Sequence, residues 1–594
     1  MTLLHDILWD LKNDDLAAHL KLLEVKLKQP RKAELIDAIK ASFAGEGLEA
    51  IWKSLSDLEQ AAVAEACYAP DLAYDASRMR AKYGTVPLFY KESEGRRSYS
   101  YHSKNLTRLN LLFFTLRDSA ERIVPDDLAA RLREFVAKPS ELSVPTLDAP
   151  IAEEGLFVRE TEHESLADVM ALLRLAELGN LRISAKTGKV SSSACLAILE
   201  CLIGEDFYPQ EVAYRAGKKS YEQEIGSIKP IGWARLLEVG KYFTMSGSRS
   251  KLTPAGVKAL SLPAHQIIRQ LWNKWLTNVK YDEFNRIDDI KGQSKKGHMT
   301  AKPPRRGAID DALLECPINQ WIGVGKFSEY MQGAGHEFEV SRDLWKLYVG
   351  DSNYGSLGYA GCGDWDTVQF RYLLCFLFEY AATLGLIDIA YVHPRDGLND
   401  YCGQWGADDL EWLSRYDGLR AIRITSLGAY CLGITEDYSP KQLESSLTLR
   451  VLPSLRIQLL SGALRPAEKL QVETWAELVE PNVWQLDASR ALEAVERGQS
   501  VADFTEFLQR CDDQLLPETV IGFFRASEND GKAVRNCGEA HLFDCRDAAT
   551  ATIICAQAEL KGQCFRCGDT SLAVPDSHLS KFRKVVRSLG LGIV

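Results

Sequence analysis

Cys564-Phe-Arg-Cys567 has the spacing at which two thiolates can share one zinc ion, and Cys537, Cys545 and Cys555 lie upstream. A structural zinc site takes four ligands, so a strong signal needs a second, equally regular pair. Here one pair has irregular companions, which leaves zinc open. A nuclease centre needs carboxylates and a lysine around a metal-bound phosphate. Asp544 or Asp547 with Glu559-Leu-Lys561 supplies those residue types, at a spacing that also arises often by chance. The stretch from His393 to Asp400, HPRDGLND, puts a histidine among acids, as a polar loop also does. The stretch from Gly323 to Tyr330, GVGKFSEY, looks superficially like a phosphate-cradling loop. It has Phe327 where the magnesium-binding hydroxyl must stand and lacks the preceding glycine spacing, so it is expected to open a helix. No nucleophile elbow or glycine-rich nucleotide fingerprint occurs. The expectation is a non-enzyme without a cofactor.

The cations offer a different chemistry, contact with phosphate. Lys26, Lys28, Arg31 and Lys32 gather where a second helix should begin, and its exposed N–H groups favour an anion too. Lys241, Arg249 and Lys251 occupy a short alternating stretch without an acid. Residues 291–307 carry Lys291, Lys295, Lys296, Lys302, Arg305 and Arg306, again without an acid, and read either as a solvated linker or as a polycationic strap. The stretch Arg96 to Lys104 interleaves basic and aromatic groups, as a stacking surface would, although a half-buried strand explains it as well. The net charge of −11 means that any nucleic-acid contact must be local. Residues 392–418 are the counter-example. They carry Asp396, Asp400, Asp408, Asp409, Glu411 and Asp417 against Arg395 and Arg415, which disfavours phosphate and suits a protein partner.

These groups need elements to hold them. At 594 residues, with 46% apolar and 26% charged residues, the chain reads as several globular domains. The first residues lack a charged segment followed by an apolar one, and no run approaches ~18 apolar residues. A cytoplasmic protein with no membrane segment and with reduced thiols is expected. Leu16, Leu20 and Leu23, then Leu35, Ile36, Ile39 and Phe43, mark two helices around Lys28-Gln-Pro30. This segment resembles a SAP-type DNA-binding motif. Residues 46–145 read as helical, and the Pro-containing stretch 137–150 reads as a linker.

One device occurs twice. SRSKLTPAGVKAL begins at Ser248 and LRAIRITSLGAYCL at Leu419, each a strand, a Thr, two residues, a Gly and an apolar helix. Thr253 should cap the helix, Pro254 should fill its first position, and Gly256 should allow close approach to the strands. Each copy follows a helix and a strand, which is the pattern of a winged helix.

The last 150 residues resemble the N-terminal domain of XPB-type helicases, in the form found in bacterial helicase-associated proteins. The resemblance rests on Ser489, Leu492, Gly498, Leu516-Pro517 and Val520, with strand-like segments on either side. The motor motifs are missing, so the resemblance implies an accessory domain without helicase activity. The expected fold is α+β, predominantly helical and multidomain. It comprises a SAP-like segment (1–45), a helical domain (46–145), a winged helix (146–290), the basic linker (291–307), a second winged helix with an acidic loop (308–440) and an XPB-like α/β domain (441–594). The function expected is non-catalytic DNA binding with weak sequence preference, in a repair, processing or defence assembly. The alternative is a scaffold for a helicase or nuclease partner.

Overall fold

The computed structural model describes residues 3–91, 106–115, 121–184, 189–214, 223–247, 249–294, 297–360, 365–401, 403, 405–440, 447–534 and 538–594. The fold is α+β and predominantly helical, with several small sheets whose strands pair antiparallel. Two compact units emerge: Met1–Leu443 with Arg465–Leu470, and Glu444–Leu464 with Gln471–Val594.

The first unit holds two large cores. Leu16, Leu20, Leu35, Ile36 and Ile39 pack with Val63, Leu109 and Leu128, so residues 1–45 and the helices after them share one interior. The boundary expected at 45 is therefore not one: short amphipathic helices bury their apolar faces only against neighbours. Ser56 opens the helix Asp57–Tyr68 with a reciprocal cap, its hydroxyl accepting from the Glu59 N–H while Glu59 accepts from the Ser56 N–H.

The second core runs from Val144 to Cys431 and also crosses the boundaries expected at 290 and 308. Trp275, in the helix Ala264–Leu276, stacks on Tyr380 of the helix 365–381 with ring centroids 4.1 Å apart. The expected linker is built into this core. Ile290–Lys291 is a strand paired with Tyr348–Val349, and Lys302–Leu314 is a helix with Pro303 and Pro304 in its first turn.

A four-stranded sheet lies in the same unit, in the order Phe157–Arg159, Ile387–Tyr391, Leu419–Ile424, Trp321–Gly323. Gly323 precedes the helix Val324–Ala334, so the loop that looks phosphate-binding opens a helix, as expected. The helices Lys229–Val239 and 365–381 pack closely. A Cβ at Gly232 would lie 2.6 Å from the Glu379 carbonyl oxygen.

In the second unit, Thr448–Leu452 and Arg456–Ser461 form a hairpin with Pro453 in its turn. The turn spares the ladder a residue without an N–H. The helices Ala488–Glu496, Val501–Cys511 and Glu518–Gly531 share a core with this sheet through Trp475, Phe504 and Phe524. Gly498, at φ +86°, ends the first of these helices, Ser500 caps the second, Pro517 precedes the third, and Val520 is fully buried. A smaller core joins the strands Ala540–Asp544 and Ser571–Pro575 to the helices Ala548–Cys555 and Leu579–Ser588.

Candidate nucleic-acid interface

The strands Phe243–Ser246 and Arg249–Leu252 form a two-stranded hairpin that leaves its outer side chains in water. Alternation decides which side chains these are. Ser250 and Leu252 point inward, where the Ser250 hydroxyl donates to the Ala176 carbonyl, while Arg249 and Lys251 point out. Thr253 closes the hairpin. Its hydroxyl donates to the carbonyls of Lys241 and Tyr242 at 2.7 and 3.2 Å and accepts from the Gly256 N–H at 3.1 Å. Gly256 is required there because a Cβ would lie 2.0 Å from the Tyr242 carbonyl oxygen.

The second copy repeats these bonds. The Thr425 hydroxyl donates to Gly385 and Leu386 at 2.7 and 3.2 Å and accepts from Gly428 at 2.8 Å. A Cβ at Gly428 would again fall 2.0 Å from a carbonyl, that of Leu386. At the residue before the strand's lead-in, Gly385 has φ +76° where the first copy has Lys241 at φ +57°.

Lys241, Arg249 and Lys251 are exposed, and none forms an ion pair among the described residues. Two further cations escaped the sequence reading. Arg182 belongs to a loop whose Leu181 N–H donates to Ser250, and Lys258 sits on the helix after Thr253; both are exposed. Proximity to the hairpin can be read in the sequence for Lys258 but not for Arg182. Lys274 donates to the Gly240 carbonyl, and burial together with the charge of Lys241 pulls its pKa below the usual lysine value. The surroundings of the hairpin are thus locally positive.

The other expected contacts divide. Lys28 and Arg31 are exposed and Lys32 half-buried at the start of the helix Lys32–Ser42, the Lys32 ammonium 5.8 Å from the ring centre of the exposed Trp9. Lys295, Lys296 and the stretch Arg96 to Lys104 lie outside the described residues. Lys302 donates to the Val279 carbonyl at 2.8 Å.

Arg305 and Arg306 are corrections: both are buried, so neither can face phosphate. Arg305 pairs with Asp282 at 3.0 Å and Arg306 with Glu283 at 2.6 Å, and Arg306 also donates to the carbonyls of Trp275, Asn278 and Tyr281. A buried guanidinium needs such a full set of acceptors. The strap reading of 291–307 therefore fails for its helical half.

The acidic loop 392–418 is folded inward only in part, with Asp396, Asp400, Asp408 and Asp409 exposed. Asp417 is fully buried, accepts from the Leu413 and Ser414 N–H groups and pairs with Arg371 at 3.2 Å; Arg371 also holds Asp400. Burial outweighs the guanidinium and raises Asp417 to about 6. Glu411 pairs with Arg395, and Trp412 is buried. Asp400, Glu411 and Asp417 thus neutralise the protein's own arginines, while Asp396, Asp408 and Asp409 stay in water. At Glu379 the balance is reversed. Burial pushes its carboxyl up, but Arg286, 2.7 Å away, and Arg235 bring it below the usual value.

Among the described residues, no three His, Cys, Asp or Glu side chains gather as a metal-ligand set. Cys564 lies 4.0 Å from Cys555, and burial raises its thiol to about 12, while Cys567 is exposed. Asp547 caps the helix Ala548–Cys555, and Asp544 accepts from Thr570, so both carboxylates of the nuclease reading have structural partners. No known family description matches the chain, and no curated protein shows significant similarity to it.

Proposed function

We propose that this chain is a non-catalytic DNA-binding protein that holds the phosphate backbone through the exposed hairpin 243–252, as an accessory subunit of a DNA repair, processing or defence assembly. The observation that carries this reading is the set of unpaired cations Lys241, Arg249 and Lys251 on a chain of net charge −11.

On this reading both copies of the device belong to winged helices. Over 302–424 the helix, strand, helix, helix, strand, strand order such a unit needs is followed, with the strand Tyr348–Val349 inserted before the third helix. The helices that would read a major groove, Lys229–Val239 and 365–381, are instead mostly buried and touch each other at Gly232 and Glu379. Contact is therefore made by the wing to phosphate, with weak base preference and strong salt dependence. The XPB-like second unit fits an accessory role beside a helicase or nuclease. The strand Ala476–Glu480 lies at the edge of its sheet with Leu478 and Val479 exposed, which favours a scaffold as the second reading.

Fluorescence anisotropy with labelled duplex DNA of unrelated sequences tests the proposal. Equal affinity for all sequences, falling steeply between about 50 and 200 mM salt, is expected. No binding at the lower salt would refute it.

A further inference from the structure

Four aromatic side chains stand out from the surface of the first unit. Trp345 is 59% exposed, Tyr354 50%, Tyr359 67% and Trp405 71%. Between Leu314 and Leu460 they are the only large hydrophobic side chains so exposed among the described residues. They form two pairs: the ring centroids of Trp345 and Tyr359 lie 4.8 Å apart, and those of Tyr354 and Trp405 lie 6.4 Å apart.

Backbone contacts set these positions. Leu357 N–H donates to Leu347 and Val349 N–H to Gly355, each at 2.9 Å, which makes a short hairpin of 347–357. Trp345 and Tyr359 flank its open end, and Tyr354 sits in its turn. Gly406 brings Trp405 to the turn, since a Cβ there would lie 2.3 Å from the Val349 carbonyl oxygen. Gly358 packs on the Trp345 ring, where a Cβ would come within 2.3 Å.

Lys291 lies beside the rings, and Arg342 precedes Trp345 by three residues. The strand Ile290–Lys291 pairs with Tyr348–Val349, placing Lys291 opposite Tyr348. Lys291 and Arg342 are exposed and form no ion pair among the described residues, whereas Lys346 is paired with Asp343. Asp408 and Asp409 are exposed close to Trp405 in sequence, so charge alone would not hold an anion here. Stacking would carry the affinity, and the cations would orient the backbone.

We infer that this surface is a stacking platform for single-stranded nucleic acid, with bases on the two ring pairs and phosphates along Lys291 and Arg342. The inference rests on the nucleic-acid-binding reading above. A single strand offers free base faces and a duplex does not, and stacking tolerates any base. An aliphatic-rich protein interface fits less well, because no aliphatic side chain is exposed among these rings.

The full chain is titrated into labelled oligo-dT and into a duplex of equal length. The double variants Trp345→Ala/Tyr359→Ala and Tyr354→Ala/Trp405→Ala should each weaken oligo-dT binding about tenfold. Duplex binding should stay within about twofold. Lys291→Glu should weaken oligo-dT binding and lower its salt slope by about one. Wild-type affinity for oligo-dT in both ring variants would overturn the inference and leave the rings for a protein partner. A wild-type chain that holds duplex but not oligo-dT would also overturn it while sparing the hairpin reading; failure to bind either would sink both.

Discussion

The hairpins 243–252 and 387–424 are closed by the same hydrogen bonds yet differ in what happens beyond the closure. In each, a Thr hydroxyl bonds two carbonyls before the first strand and the N–H of a Gly three residues on. The first is paired as far as Ser246 and Arg249 and leaves its cations in water. The second extends through a long loop that Arg371 ties down through Asp400 and Asp417. Closure is thus a property of local sequence, whereas the tip's availability to a ligand depends on whether distant residues neutralise and cover it.

Arg371→Ala should have the largest effect. Removing it strands the buried Asp417 carboxylate, and a broken buried pair costs about 3–5 kcal/mol. Arg249→Ala, at the exposed hairpin, should change stability by no more than about 0.5 kcal/mol. Denaturant unfolding compares the two, and equal losses would erase the distinction between the tips. Next in size, Gly256→Ala and Gly428→Ala should each destabilise by roughly 1–3 kcal/mol, because both force a methyl against a carbonyl. A neutral result at either site would show that the closures are not equivalent. Smallest is Lys241→Gly, which gives the first copy the residue type of the second. It should relieve left-handed strain, with a gain of up to ~1 kcal/mol in thermal unfolding, while weakening duplex binding.

The same contrast explains what the sequence could convey. Thr253, Pro254 and Gly256 act on neighbours a few residues away, so the cap and the close approach were legible. The helical positions Leu35, Ile36 and Ile39 were legible for the same reason, through their spacing. Arg305 and Arg306 were not, because their acceptors, Asp282 and Glu283, lie 23 residues earlier in the chain. The acid-rich stretch 282–289, just before the basic window, was the available hint. The boundaries expected at 45, 290 and 308 failed likewise, since a shared core depends on long-range packing that periodicity does not encode. Trp345, Tyr354, Tyr359 and Trp405 passed unnoticed because aromatic residues among Gly, Ser and Asn read equally well as buried loop anchors.

The salt dependence of duplex binding probes the first hairpin most directly. In the triple variant Lys241→Glu/Arg249→Glu/Lys251→Glu, log affinity against log salt should flatten by about 2–3, near 0.9 per lost phosphate contact, with affinity falling at least tenfold. An unchanged slope, with the variant's thermal unfolding also unchanged, would contradict phosphate binding by this hairpin.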